Sequence, residues 1–255
     1  MSSEIEINGL RVLYDRSCET ERPGATILFL HGWGGSSSSW EPNIRELRKY
    51  FDCVAIDLPG FGISDTPKNI RGVKEYAEFV RSFVEKLSIN NYVMVGKSFG
   101  GRIALYYASK WPHDLSHLIL VASAGVEKHG AWSNMKVSLA SLGKLLVKNA
   151  FPSLESSARR AFYFVTRVKK DESDYKWEVK KLVTRADLSE VAGNINVPTL
   201  IIWGEDDNVL SVKVGKRLHS LIRGSRLVLI KGGHNAHIES ANEFNSTVLD
   251  YLAHK

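Results

Sequence analysis

Short apolar runs, each followed by a glycine-rich or turn-forming loop, recur along this sequence and constrain its fold more than any other feature. The runs cover residues 26–30, 53–56, 92–95, 118–121, 199–203 and 227–230. Continuous apolar runs of this length are typical of strands that are buried on both faces of a parallel sheet. Between them lie segments with apolar residues at helical spacing, at 38–49, 73–87, 100–110, 212–221 and from about 240. This alternation predicts an α/β fold, with helices on both faces of a mostly parallel central sheet.

The first residues follow a different pattern, because residues 4–15 contain two stretches of alternating polarity on either side of Asn8-Gly9. Alternation with a period of two is typical of strands, and Asn-Gly between them is a strong hairpin signal. We therefore predict a β-hairpin here. It would belong to a core domain composed of residues 1–124 and 194–255.

The alternation of strands and helices is interrupted between Ser123 and Pro198, where the sequence contains no convincing buried strand. This stretch is far longer than the usual connection of about 2–6 residues between a strand and a helix. It is rich in Lys, Arg, Ser and aromatic residues, with helical periodicity near 135–148 and 156–168. We therefore predict an inserted helical cap at residues 125–193.

The composition is that of an ordinary globular protein, with 44% hydrophobic and 24% charged residues in a chain of 255. The net charge of +6 could attract anionic partners. No run of Lys and Arg, however, is interleaved with aromatic residues as a single-strand binding platform requires. We therefore expect a small-molecule substrate and no nucleic acid partner, and the sequence leaves the oligomeric state open.

The two cysteines, Cys18 and Cys53, have a spacing that suits neither a zinc site nor a redox pair. Two free thiols are typical of a reducing compartment. The first residues lack the basic and apolar segments of a secretory signal, and no uncharged apolar stretch approaches bilayer length. We therefore expect a cytoplasmic location and no membrane segment.

The strongest chemical motif is Gly96-Lys97-Ser98-Phe99-Gly100, which follows a predicted strand and opens a predicted helix. A G-x-S-x-G pattern in that context predicts a sharp turn that lifts the serine hydroxyl above the carboxyl ends of the strands. The two glycines remove side chains that would clash at such a turn. The motif therefore predicts Ser98 as a nucleophile. The alternative is an ordinary glycine-rich connection.

A serine hydroxyl is a weak nucleophile at neutral pH and needs a histidine base, which a carboxylate in turn orients. Two candidate histidines lie within seven residues of the last predicted strand: His234, directly after Gly232-Gly233, and His237. We predict His234 as the base because it lies at the carboxyl end of that strand. We expect His237 to be a packing or hydrogen-bonding residue.

The candidate acids lie in the segment Gly204-Glu205-Asp206-Asp207, just after the preceding strand. When a G-x-S-x-G serine follows a strand, the acid and then the histidine come after later strands. Asp207 is the favoured acid, and Asp206 stays open as the alternative. The remaining acidic groups of the segment are expected to be solvated or to form the turn.

Acyl transfer also requires backbone N–H groups that stabilise the oxygen on which negative charge develops. One predicted donor is the N–H of Phe99, the residue after the nucleophile. The other is the N–H of Trp33, in the glycine-rich loop His31-Gly32-Trp33-Gly34 after the first parallel strand. We expect His31 to be structural. The Trp33 indole would either line the pocket or pack on the domain.

Five segments together resemble those of the α/β-hydrolase superfamily, in its capped, single-domain branch. They are His31-Gly32-Trp33-Gly34 and the segments 57–64, 96–101, 203–207 and 233–234. The resemblance runs from about Ile27 to Leu252 and is weakest in the predicted cap. In this family the acid stands three residues after the glycine of the Trp-Gly pair, which favours Asp207.

The resemblance implies a two-step acyl transfer by Ser98, Asp207 and His234, with oxyanion donors at Trp33 and Phe99 and with no cofactor and no metal. It favours a carboxylesterase that acts on small to medium acyl esters. A C–C bond hydrolase of the ring-cleavage-product type is an alternative on the same residues, although such enzymes usually have an Asn-Ser-Met elbow. A ligand receptor that retains the fold without catalysis is a further alternative.

Two features of the sequence are left without a fixed role by the resemblance. Many relatives carry His or Asn where this chain has Lys97, and a lysine there either alters the local field or points into a crevice or solvent. Aromatic residues of the predicted cap could form an apolar substrate pocket or the cap's own core. They are Trp132, Phe151, Phe162, Tyr163, Phe164 and Trp177.

Overall fold

The structure is a computed structural model that describes residues 2–21, 23–69, 72–127, 175, 179–180, 182–183 and 186–253. The chain divides into two compact units, one formed by Met1–Val126 with Val179–Lys255 and the other by Glu127–Glu178. The predicted cap helices at 135–148 and 156–168, and the six cap aromatics, lie outside the described residues. The bounds of the core and the cap therefore stay predictions.

An eight-stranded sheet lies at the centre of the first unit. Its strands are β1 Ser2–Ile7, β2 Leu10–Ser17, β3 Thr26–Leu30, β4 Asp52–Ile56, β5 Tyr92–Lys97, β6 Leu115–Val121, β7 Thr199–Gly204 and β8 Arg226–Ile230. The strand order is β1-β2-β4-β3-β5-β6-β7-β8. The pairs β1/β2 and β2/β4 are antiparallel and the other pairs are parallel. The predicted mostly parallel sheet and the N-terminal hairpin are thus confirmed.

Helices alternate with the strands, as the periodicity predicts. In the described part of the chain the labelled helices are α1 Glu41–Leu47, α2 Val73–Lys86, α3 Phe99–Lys110, α4 Ser189–Gly193, α5 Val212–Leu221, α6 Ala236–Glu239 and α7 Ala241–Ala253, with 3₁₀ turns at Ser37–Trp40 and Pro112–Asp114. No helix among the described residues is long and apolar enough to cross a membrane.

The helices differ from the sequence-based prediction at two places. The segment predicted as one helix at 38–49 begins as a 3₁₀ turn and becomes α-helical at Glu41, with Pro42 in the first helical turn. Proline is tolerated there because the first N–H groups of a helix have no partner inside it. Helix α6 is not predicted, because four residues are too few to show a helical period.

The inner strands β3 to β7 are buried on both faces, which explains their continuous apolar runs. In β3, Ile27 and Phe29 pack in a core cluster with Trp40, while Leu28 and Leu30 on the opposite face are also fully buried. Helices α1, α6 and α7 contact one another as one group, and α2, α3, α4 and α5 form a second chain of contacts. Both faces of the parallel strands are thus covered, as expected for a parallel sheet.

The strand order changes direction at β3, which pairs with β4 on one side and with β5 on the other. Ligand sites of open α/β sheets lie outside the carboxyl ends of the strands at such a switch point. Here the two carboxyl ends carry the loop that begins at His31 and the turn that contains Ser98. The residues of these motifs therefore converge at the carboxyl edge of the sheet, where a ligand site is expected.

Candidate active site

Ser98 occupies a strained turn between β5 and α3, with φ 51° and ψ −105°. A residue other than glycine in such a conformation costs about 1–3 kcal/mol, so its surroundings must hold it in place. The N–H of Ser98 donates to the carbonyl of Val121 at 3.0 Å, and its own carbonyl accepts from the N–H groups of Arg102 and Ala124. The hydroxyl is thus carried on a rigid corner of the backbone.

Gly100 allows helix α3 to approach the end of β3 closely. A Cβ atom at this position would contact the carbonyl oxygen of Leu30 and lie 2.7 Å from that of His31. Because these neighbours are backbone atoms, they cannot move aside as a flexible side chain could. Only glycine fits here, and the close approach brings the loop after β3 next to Ser98.

His234 joins the three side chains predicted for the site into one hydrogen-bonded chain. Its Nε2 lies 3.2 Å from the Oγ of Ser98, and its Nδ1 lies 2.8 Å from the Oδ2 of Asp207. With an ionised carboxylate, the Nδ1–H donates to Asp207, and Nε2 is left to accept the serine hydroxyl proton. The Asp207 side chain is 0% exposed and that of His234 is 15% exposed. The histidine therefore faces both partners with little competition from water.

Asp207 is held by more than the histidine. Its Oδ1 accepts the backbone N–H groups of Val209 and Leu210 at 2.9 and 2.8 Å. Burial alone would raise the pKa of Asp207, but the hydrogen bonds from His234 and from these backbone groups outweigh it and lower the pKa. Asp206, the alternative from the sequence, is exposed. The geometry therefore favours Asp207 as the partner of the histidine.

The loops after β7 and β8 support each other. The N–H of Asp206 donates to the carbonyl of Gly232 at 3.0 Å. The N–H of Gly233 donates to Oε2 of Glu239 in α6 at 2.6 Å. These hydrogen bonds hold the backbone of the loop that contains His234.

Phe99 and Trp33, the predicted oxyanion donors, belong to neighbouring backbone segments beside Ser98. Phe99 is the first residue of α3, so its N–H has no acceptor within the helix. A Cβ atom on Gly32 would lie 3.5 Å from the Cβ of Ser98, so the loop that contains Trp33 lies against Ser98. The Trp33 ring packs on Phe61 and Phe99, with centroid distances of 5.0 and 5.3 Å. Its indole thus packs on the domain, which is one of the two expected roles.

His31 is a structural residue, as predicted. It is fully buried, its Nδ1 lies 2.8 Å from the carbonyl of Gly32, and its Nε2 accepts the N–H of Leu58 at 3.1 Å. Because the carbonyl can only accept, the proton is on Nδ1. Burial lowers the pKa of His31 below its ordinary value, which keeps the ring neutral.

Asp57 is a supporting residue whose role the sequence reasoning missed. Its carboxylate accepts the N–H of Ser37 at 2.6 Å and the N–H of Ile63 at 3.0 Å, and so ties two loops together. The signal was present, since Asp57 directly follows an apolar run and precedes a loop of turn residues. A buried carboxylate of this kind is satisfied by backbone donors.

His237 packs away from the hydrogen-bonded chain, as predicted. It is 1% exposed, and its ring lies 4.6 Å from that of Trp40 and 6.3 Å from that of Phe244. Burial lowers the pKa of His237 to about 3. A histidine that stays neutral among aromatic rings has a packing role.

Lys97 reaches the histidine loop, an arrangement that the sequence left open. Its Nζ donates to the Oδ1 of Asn235 at 2.8 Å. Asn235 was not singled out from the sequence, and its position directly after His234 is the only signal that points to it.

Among the described residues, no cluster of three or more His, Cys, Asp or Glu side chains could hold a metal ion. Cys18 is exposed, Cys53 is buried, and neither takes part in a disulfide.

A family model described as the alpha/beta hydrolase fold matches residues 25–142. The 2-hydroxy-6-oxo-6-phenylhexa-2,4-dienoate hydrolase of Comamonas testosteroni is 28% identical, over 98% of this chain and 94% of its own. A monoacylglycerol lipase of Xenopus laevis is 27% identical, over 92% of this chain and 79% of its own. The names of these relatives support hydrolase activity.

Among solved structures, the enol-lactonase from Burkholderia xenovorans superposes with a TM-score of 0.78 at 24% identity. The match covers 98% of this chain and 100% of the other. At this identity the likeness concerns the fold, and it agrees with the strand order described above. The chain therefore has the α/β-hydrolase fold.

Proposed function

We propose that this protein is a serine hydrolase in which Ser98 is the nucleophile, His234 the general base and Asp207 the orienting acid. The observation that carries the proposal is the unbroken hydrogen-bonded chain from Ser98 through His234 to Asp207, with distances of 3.2 and 2.8 Å. A nucleophile, a base within its reach and a third group that orients the base are the elements of covalent acyl transfer. The arrangement also argues against a ligand receptor that merely retains the fold.

The reaction proceeds in two steps on this geometry. His234 takes the proton of the Ser98 hydroxyl as the oxygen attacks the ester carbonyl carbon, and Asp207 stabilises the imidazolium that forms. The tetrahedral intermediate collapses, and the alcohol leaves with the proton from His234. Water then attacks the acyl-serine with the same histidine as base, which releases the acid and restores the hydroxyl.

Negative charge on the carbonyl oxygen is stabilised by the backbone N–H groups of Phe99 and Trp33 in this proposal. The first N–H groups of a helix are free donors, and the positive end of the helix dipole favours an anion there. Support comes from the ring contacts that tie Trp33 to Phe99. Loss of one such donor typically lowers kcat by about 10²–10³.

We propose carboxylic esters with small to medium acyl groups as the substrates. The monoacylglycerol lipase and the enol-lactonase named among the related proteins both act on ester bonds, which supports this choice. A cytoplasmic location stays a prediction.

A second candidate function is hydrolysis of a C–C bond. It is favoured by the relative from Comamonas testosteroni, whose name gives a 2-hydroxy-6-oxo-dienoate as its substrate. Against it stands the elbow of this chain, Lys97-Ser98-Phe99, which differs from the Asn-Ser-Met usual in such enzymes. Ester hydrolysis therefore remains the leading proposal.

The experiment that tests the proposal compares two substrate panels on the wild-type protein. One contains p-nitrophenyl esters from acetate to decanoate, and the other contains 2-hydroxy-6-oxohexa-2,4-dienoates with alkyl and phenyl substituents. We expect the higher kcat/KM on an ester, with turnover lost in Ser98→Ala. A dienoate as the better substrate would favour the second candidate. Absence of turnover on both panels would contradict the proposed function.

A further inference from the structure

Lys97 is a half-buried cation directly before the proposed nucleophile in the chain, and the proposed reaction gives it no task. It is the last residue of β5. Its side chain runs along the loop after β3, because a Cβ atom on Gly32 would lie 2.9 Å from its Cδ and 3.2 Å from its Nζ. The lysine thus fills the space that the absent side chain of Gly32 leaves.

The head of this side chain reaches the loop that carries the histidine. The Nζ of Lys97 donates to the Oδ1 of Asn235 at 2.8 Å. Asn235 is the N-cap residue of α6, yet its side chain makes no capping hydrogen bond to that helix. Its carbonyl group instead accepts the lysine, so the contact joins the strand of Ser98 to the residue that follows His234.

The charges around Lys97 fit a fixed position for its ammonium group. Burial lowers the pKa of Lys97, while Asp207 from the loop after β7 and Glu239 from α6 oppose that effect. The positive charge of Lys97 in turn lowers the pKa of His31 and of His237, after the larger effect of burial. The lysine therefore lies among charged and titratable groups from the loops after β3 and β7 and from helix α6. Displacing it would remove a half-buried positive charge from the surroundings of all of them.

We propose that Lys97 is a positioning residue that holds His234 in reach of Ser98 by anchoring Asn235. The inference rests on the proposed function of Ser98 and His234. The distance of 3.2 Å between His234 Nε2 and Ser98 Oγ is already at the long end for a hydrogen bond. A misplacement of about 1 Å in such a pair can cost about 10²-fold in rate. Loss of the anchor therefore acts on the chemical step and not on substrate binding.

The test uses the full chain and a double-variant cycle. Lys97→Met keeps an unbranched side chain against Gly32 and removes the donor, and Asn235→Ala removes the acceptor from an exposed residue. We expect each variant to lower kcat about tenfold with KM within about twofold of wild type. The kcat of the double variant should be no lower than that of the more impaired single variant, because both substitutions remove the same link. Lys213→Met, at an exposed position of α5, is the matched control and should behave as wild type.

A second readout separates this inference from the choice of substrate. The rate at which a fluorophosphonate labels Ser98 depends on the Ser98–His234 pair whatever bond the enzyme cleaves, and it should fall in parallel with kcat. Labelling of the wild type without ester turnover would contradict the esterase proposal alone, and the labelling rates would still test the role of Lys97. Wild-type rates in both variants, or losses that multiply in the double variant, would overturn the inference. Should Lys97→Met fail to fold, Asn235→Ala decides by the same criterion.

Discussion

At the scale of single residues, the site depends on which ionisable groups are charged. Asp207 is charged because one buried oxygen accepts two backbone N–H groups and the other accepts a histidine. His31 and His237 are kept neutral by burial. His234 alone among these three histidines has both a carboxylate and a serine hydroxyl within hydrogen-bonding distance. The difference lies in the surroundings of each ring and not in the residue type.

The assignment of the acid gives the first prediction. Asp207→Asn places an amide next to Nδ1 of His234, which favours the tautomer with its proton on Nε2 and removes the base. We expect kcat to fall about 10⁴-fold with little change in KM. Asp206→Asn is the control, since this exposed side chain is one residue away. Equal losses in the two variants, measured on the best ester, would refute the assignment.

His237 gives a prediction about stability and pH. Its pKa lies near 3 in the folded protein and at 6.5 as the ordinary value. Between these two pH values the unfolded chain binds a proton at His237 that the folded chain does not. The free energy of unfolding therefore falls as the pH decreases through this window. From pH 7 to pH 5 the wild type should lose about 2 kcal/mol more of unfolding free energy than His237→Leu. Urea denaturation at the two pH values measures this difference, and parallel pH dependences would contradict the buried neutral histidine.

At the scale of elements, the turn between β5 and α3 is the part on which the site is built. Positive φ at Ser98 lifts the hydroxyl, and the missing side chain of Gly100 lets α3 pack against the carbonyl groups at the end of β3. Both donors proposed for the oxyanion depend on this contact, because one lies on α3 and the other on the loop after β3. The strain of the turn is offset by the surrounding sheet.

Gly100→Ala tests this packing. The added methyl group would press on backbone atoms of Leu30 and His31, so we expect a loss of roughly 1–3 kcal/mol in unfolding free energy together with a large fall in kcat. Gly193→Ala is the matched control, since a Cβ atom at this end of α4 meets nothing within 4 Å. It should change the unfolding free energy by less than about 1 kcal/mol. Chemical denaturation and ester assays on both variants measure these effects. An unchanged unfolding free energy and kcat in Gly100→Ala would contradict the close approach of α3 to the end of β3.

At the scale of the whole molecule, the sequence is most informative where one local pattern decides the structure. The run at 199–203 and the helical period at 212–221 predict β7 and α5 with little error. A strand buried on both faces requires a continuous apolar run, and a helix buried along one face requires apolar residues at helical spacing. The positions of Ser98, Asp207 and His234 after β5, β7 and β8 are visible for the same reason.

Contacts between distant segments are what the sequence could not provide. The spacing after Trp203-Gly204 favours Asp207 over Asp206, but only the folded loop determines which of the two side chains faces His234. The contacts of Lys97 with Asn235, and of Asp57 with Ser37, depend on loops that come together only after the sheet has formed. Residue patterns thus predict the helices and strands, whereas the contacts between residues of different loops depend on the tertiary structure.

The most direct test of the central claim is the mapping of a fluorophosphonate adduct on the intact protein. Ser98 is predicted to be labelled at one equivalent per chain, as determined by mass spectrometry of the digested protein. The label should be absent from Ser98→Ala and at least about 10²-fold slower to form in His234→Gln, because the hydroxyl then lacks its base. An adduct on another residue, or labelling of Ser98 at the same rate without His234, would contradict the account.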